Sequence, residues 1–130
     1  MVWFFFLLFL GTSATKLDGD ALLAFKNGLD DPDNIFDWSN DSSPYQWKGV
    51  ECNGAAVVSI SLANIGLRGK ISPQLGFLMH LETLNLTRNL LYGTIPPQIW
   101  SLKNLKHLDL SFIQLSGAID SNIKQLSDLE

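Results

Sequence analysis

The sequence predicts an α/β solenoid built on a short parallel sheet. The first reason is a leucine that returns every 24 residues: Leu81, Leu105 and Leu129, with Val57 in the same register. The second is that whole columns keep that spacing. Leu62, Leu86 and Leu110 form one, Leu67, Leu91 and Leu115 another, and Gly69, Gly93 and Gly117 a third. Ile71, Ile95 and Ile119, then Leu75, Ile99 and Ile123, then Leu78, Leu102 and Leu126 follow in step. The third is composition. In 130 residues, 46% are apolar and 17% charged, a foldable mixture with room for one domain.

At the front, Trp3 to Leu10 form an unbroken apolar run, followed by Gly11, Thr12, Ser13 and Ala14. This is the shape of a secretory signal peptide over residues 1–14, with a cut after Ala14 placing Thr12 and Ala14 at the small-residue positions. The run is too short to span a bilayer, which takes about 20 residues. The expectation is a secreted, extracellular chain with no membrane span of its own. Two glycosylation triplets fit that compartment, Asn40-Asp41-Ser42 and Asn85-Leu86-Thr87.

Charge divides the remainder. Residues 16–52 carry 3 basic and 8 acidic side chains, and residues 53–130 carry 6 basic and 5 acidic, giving the net charge of −4. A chain without a basic stripe is a poor nucleic-acid binder, because it cannot displace counterions from phosphates. One cysteine excludes an internal disulfide and a cysteine-based zinc site, and two histidines leave little for another metal centre. No cofactor and no metal are expected.

The repeating unit reads L-x-x-L-x-L-x-x-N-x-L-x-G-x-I-P-x-x-(L/I)-x-x-L-x-x. Three copies occupy 57–80, 81–104 and 105–128, and residues 129–130 begin a fourth. The L-x-L segment alternates apolar and polar residues, as a strand with one buried face does. One strand per repeat then stacks into a parallel sheet. The Gly and Ile-Pro stretch gives an extended or turning return path, and the later Leu/Ile residues pack inward from a short helical turn. No coil can bury its leucines alone, but the stack can.

The segment Leu91-Tyr92-Gly93-Thr94-Ile95-Pro96 resembles the signature of plant-type leucine-rich repeats. Residues 16–53 resemble that family's N-terminal cap. Asp20 to Leu29 would be the cap helix, with Leu22, Phe25 and Leu29 on one face and Asp31-Pro32 ending it. Trp38 matches the cap's first tryptophan, and Trp47-Lys48-Gly49-Val50-Glu51-Cys52 matches its W-x-G-V-x-C motif. The resemblance implies a right-handed superhelix with an N-terminal helical cap, as in ectodomains of plant receptor-like kinases, receptor-like proteins and polygalacturonase-inhibitor-like proteins.

Several positions depart from that pattern. The family's second cap cysteine, two residues before the tryptophan of the motif, is Tyr45 here. Cys52 is therefore unpaired, either available to another chain or buried as a small hydrophobe. Asn89 stands where the family's asparagine bonds to neighbouring backbone, but Ile65 and Ile113 replace it in the flanking repeats. Repeat three also has Asp120 in place of the proline. Glu130 falls two residues into a fourth coil with no closing segment, which reads as a truncated chain.

No catalytic constellation emerges, and the chain is expected not to be an enzyme. His107, Asp109 and Ser111 share one strand face, but such a set lacks an oxyanion hole and a buried orienting acid. Kinase activity would require a C-terminal domain beyond this sequence. The candidate binding surface is the exposed face of the sheet: Ser59, Ser61, Ala63 and Asn64, then Thr83, Asn85, Thr87 and Arg88, then His107, Asp109, Ser111 and Phe112. Within it Arg88, His107, Asp109 and Phe112 are the ligand-binding candidates, since arginine and aromatic residues dominate interface hot spots. Three strands span only about 15 Å. The expected function is recognition of a protein or peptide ligand or a co-receptor, as the N-terminal part of a receptor-like kinase ectodomain. A plasma-membrane location would need a missing anchor. The alternatives are a secreted inhibitor resembling polygalacturonase inhibitors and a non-functional fragment.

Overall fold

The computed structural model describes residues 16–30, 36–117 and 129. The expected signal peptide, most of the return path of repeat three (118–128) and Glu130 lie outside the described residues. Helix α1 spans residues 16–27. Its bounds correct the expected Asp20–Leu29 at both ends. The described residues are already helical a turn before Asp20, at Lys16, which pairs with Asp20 at 2.9 Å, an i,i+4 contact along the exposed face. It ends earlier because the Gly28 amide donates to both Ala24 and Phe25 carbonyls and Leu29 donates to Lys26, tightening the last turn. Leu29 then leaves the helix and bridges Gly69, while the Asp30 amide donates to the Arg68 carbonyl at 2.8 Å.

Gly69 explains that docking. Its φ is +128°, and a Cβ there would lie 2.9 Å from the Leu29 Cα. The glycine column of the repeat therefore has two uses. All three members sit at positive φ, and the first also admits the cap's backbone.

The cap core is aromatic. Trp38 and Trp47 stack with ring centroids 5.3 Å apart and 13° between planes, and Phe25 and Phe36 close on Trp38. Neither indole N–H is orphaned: Trp38 donates to the Lys48 carbonyl at 3.1 Å and Trp47 to Ser42 Oγ at 2.7 Å. Strand β1 (Val50–Asn53) leads through a turn into β2 (Ala56–Ser61), and the two pair antiparallel with a bulge at Glu51/Cys52. This hairpin joins the cap to the first repeat.

From β2 the solenoid runs as expected, with one correction. A parallel sheet forms from β2, β4 (Thr83–Asn85) and β6 (His107–Asp109), with β1 on its outer edge. The register is set by the 24-residue spacing: Ile60, Leu84 and Leu108 align, as do Ser61, Asn85 and Asp109. The return path, however, is not merely extended or turning. Residues Arg68–Lys70 (β3), Leu90–Gly93 (β5) and Gln114–Leu115 (β7) form a second parallel sheet, so each repeat carries two short strands. The reason is the same stacking: return segments of successive coils lie side by side, and their free backbone groups pair, here with residues 22 apart such as Gly69 and Leu91 rather than 24 apart. Two 3-10 turns, Pro73–Phe77 and Pro97–Ser101, complete coils one and two and point Leu75 and Ile99 inward. Both start with proline, whose missing N–H leaves nothing unsatisfied there.

Asn89 closes the inside of the turn between the sheets. It is 4% exposed, accepts from the Ile65 and Leu67 amides, and donates to the Leu62 and Leu86 carbonyls at 2.8 Å. The asparagine of one coil thus serves the coil before it.

Candidate functional site

The concave face is built by alternation. In β2, β4 and β6 the aligned residues Ile60, Leu84 and Leu108 point into the core, so their neighbours face outward. Ser59, Thr83 and His107 form one row, and Ser61, Asn85 and Asp109 the next. Beyond the strands, parallel hydrogen bonding continues: the Asn64 amide donates to the Thr87 carbonyl and the Arg88 amide to that of Ser111. The chain then turns within each coil. Asn85 Oδ1 accepts from the Thr87 amide at 3.1 Å, and Asp109 Oδ1 accepts from the Ser111 amide at 3.0 Å and its hydroxyl at 2.6 Å. Those two bonds from Ser111 hold the Asp109 carboxyl below its ordinary pKa. Thr87 Oγ1 donates to the Ser111 carbonyl at 2.9 Å, tying the turns of coils two and three.

The next residue in each coil is left-handed: Asn64 at φ 55°, Arg88 at 56° and Phe112 at 56°. Asparagine tolerates that region, whereas for a long or aromatic side chain it is strained by about 1–2 kcal/mol. The strain projects Arg88 and Phe112 together from the rim. The Arg88 guanidinium carbon lies 5.5 Å from the Phe112 ring centroid, and Phe112 is 75% exposed. Such a cation–π contact is worth about 0.5–1 kcal/mol in water and more when a ligand desolvates it.

The four candidate residues therefore separate. Arg88 and Phe112 form one unit at the strand exits. His107 and Asp109 lie exposed in β6, two residues apart. Asp109 accepts from Ser111 rather than from His107, so the Ser, His and Asp set has no orienting acid. Sequence reasoning missed a pair at the strand entries, where Lys106 Nζ meets Glu82 at 3.4 Å. The signal was the repeat itself, since 82 and 106 share one register position.

The remaining singled-out residues fall in or beside the cap. Asn40 is exposed in a turn and Asn85 is half-buried at the end of β4. Cys52 is a half-buried free thiol whose pKa is pushed up by burial and by the nearby Asp18 charge, which lowers its reactivity. Tyr45, where the family's partner cysteine would stand, donates its hydroxyl to the Gly54 carbonyl. It ties the 3-10 turn Pro44–Gln46 to the β1–β2 turn without a covalent link. Among the described residues, no group of three or more His, Cys, Asp or Glu could hold a metal, and no helix is long and apolar enough to cross a membrane.

Comparison with known proteins agrees with this geometry. The family described as leucine rich repeat N-terminal domain matches residues 16–53, and the leucine rich repeat family matches 80–102 and 104–126. The LRR receptor-like serine/threonine-protein kinase FEI 2 of Arabidopsis thaliana is 38% identical over 99 residues, covering 69% of this chain and 17% of that protein. Among solved structures, a plant ice-binding protein superposes with a TM-score of 0.81 at 35% identity, covering 88% of this chain and 38% of the other. The ectodomain of the Arabidopsis receptor kinase HAESA, solved with an extended IDA peptide hormone, gives 0.79 at 31% identity, covering 90% and 20%. The chain spans less than a fifth of the length of FEI 2, and what it matches is the leucine-rich repeat ectodomain part of such kinases.

Proposed function

The chain belongs to the leucine-rich repeat proteins with the N-terminal cap found in plant receptor kinases, and we propose that it is an extracellular module that recognises a protein or peptide. Its relation to receptor-kinase ectodomains supports a place at the N-terminal end of such a receptor, reached through a secretory leader. The contact surface is the concave face, with Arg88 and Phe112 as anchors and His107 and Asp109 flanking them.

The observation that carries this reading is the Arg88–Phe112 unit. Two adjacent coils hold a cation and an aromatic ring in a strained backbone conformation on an open face. Folding alone gains little from that arrangement. A peptide carboxylate or aromatic side chain could use both groups together. The face is narrow, so binding by these coils alone is expected to be weak. The test uses the mature chain immobilised against extracellular fluid of the source tissue. A partner retained by the wild type and lost with both Phe112→Ala and Arg88→Ala supports the reading; retention by both variants removes the concave face from it.

The likeness to an ice-binding protein favours a second reading, in which a repeat face contacts ice. Thermal hysteresis of the purified chain discriminates between them. A freezing-point gap at micromolar concentration supports ice contact, and its absence leaves the peptide reading.

A further inference from the structure

The cap contains a cleft that the concave-face reading does not use. Its volume is about 300 Å³, at the lower bound for ligand pockets. Gly19 and Leu23 of helix α1 form one wall, and Pro44 and Trp47 form the floor opposite. A Cβ on Gly19 would sit 3.2 Å from Pro44 and 3.8 Å from Trp47 Cη2, so the absence of a side chain there lets helix α1 pack directly on the loop at the base of the cleft. The rim is polar, with the Lys16–Asp20 ion pair on the helix side and Ser39 and Ser42 on the loop side. Asn40 also lines the cleft, and Asn40 is the acceptor of the Asn40-Asp41-Ser42 triplet.

An apolar floor with hydroxyl, ammonium and carboxylate groups at the rim suits a sugar, whose C–H face packs on apolar and aromatic atoms while its hydroxyls bond outward. Monosaccharides bind such shallow sites weakly in free solution. A sugar attached to the cleft wall through one side chain is present at an effective concentration of the order of millimolar, so weak affinity suffices. We propose that the N-linked glycan of Asn40 seats its first N-acetylglucosamine in this cleft, against Leu23, Pro44 and Trp47. The seated sugar braces helix α1 against residues 39–47, across the opening of the cap. The other triplet has no such seat: Asn85 lies in β4 on the concave face, its side-chain oxygen already accepting from Thr87.

This inference rests on the secreted reading proposed above, and the experiment separates the two. The full chain is expressed in an insect-cell secretory host whose glycans can be cut back to one N-acetylglucosamine. Secretion is read from the medium, and occupancy of Asn40 by peptide mass spectrometry. Hydrogen exchange is then compared between the one-sugar protein, Asn40→Gln and Asn85→Gln. The expected result is exchange slowed about fivefold or more in residues 19–23 and 42–47 of the one-sugar protein. The protection should be lost in Asn40→Gln and kept in Asn85→Gln. A secreted protein without a sugar on Asn40, or with one and no added protection, overturns the inference and leaves the secreted reading standing. A chain that never enters the secretory pathway overturns the secreted reading, and the inference falls with it.

Discussion

The cap and the coils each bury an apolar core and hold it by opposite means. In coils one and two the core is periodic and, apart from Trp100, mostly aliphatic: Leu62, Leu67, Leu75, Leu84, Leu86, Leu91 and Ile99 are each 3% exposed or less. The backbone inside the turn is satisfied by one side chain, Asn89. In the cap, the core is the Trp38–Trp47 stack with Phe25 and Phe36, and its polar atoms are satisfied one at a time by carbonyls and hydroxyls. A periodic core tolerates drift in any one column because neighbours carry the register. An aperiodic core depends on individual contacts, so the cap's losses cannot be shared. Tyr45 in place of cysteine and the buried Asp18 are both in the cap.

The sharpest way to break the comparison is at Asn89. Asn89→Ala would orphan the buried Leu67 amide, the half-buried Ile65 amide and two carbonyls at once. Each orphan costs about 1–3 kcal/mol before relaxation and water entry, so a net loss of about 3 kcal/mol is expected. Urea unfolding measures it. A loss below about 1 kcal/mol would show that the coils do not depend on that single side chain.

A gain of about 2–3 kcal/mol is expected from Tyr45→Cys under oxidising conditions, where the new thiol can pair with Cys52 across a short loop. The variant forfeits the Tyr45 hydroxyl bond to Gly54, so the gain should vanish on adding reductant, leaving the protein slightly below wild type. Parallel melts with and without dithiothreitol read both values. Identical melts in the two buffers would mean the cap's geometry no longer admits the bridge.

Next in size is Ile113→Asn. Asn89 serves coil one, so an asparagine at 113 would offer its carbonyl oxygen to the amides of Asn89 and Leu91 in coil two. The expected gain is about 1 kcal/mol, the net value of well-placed hydrogen bonds less the lost apolar contact of the half-buried isoleucine. A destabilised variant would show that coil three has repacked around the aliphatic side chain.

How much of this was legible follows the same division. The strands of the concave sheet and their register could be read directly, because residues 24 apart are neighbours in a stack. Pairing of Arg88 with Phe112 follows from that rule too, since the two residues are 24 apart. The second sheet was not legible: strands of two to four residues such as Gln114–Leu115 carry too little alternation to stand out from a loop. Nor was the cap's wiring. Tyr45 to Gly54 and Asp18 to Val57 join residues with no shared period, as does the bridge of Leu29 to Gly69 just past the end of the helix.

Asp18 gives the smallest effect and the finest test of the cap. Its carboxylate is 8% exposed and accepts from the Val57 amide at 2.9 Å, where β2 takes over from the hairpin turn. Burial pushes its pKa up, opposed by the Val57 hydrogen bond and by His80. A folded pKa above the unfolded value means that the folded state holds this proton more tightly. Stability from Asp18 is then fullest below the unfolded pKa of about 4 and declines as pH rises through the folded value. Asp18→Asn keeps a carbonyl acceptor for Val57 without the charge. It should be slightly more stable than wild type at pH 7, with the difference closing as pH falls toward 4. Asp18→Ala removes the acceptor, strands the Val57 amide and should be less stable than wild type at pH 7. Melts from pH 4 to 8 follow the sign, and a wild type that outlasts Asp18→Asn at neutral pH would mean that the charge, through His80, matters more to the cap than its burial.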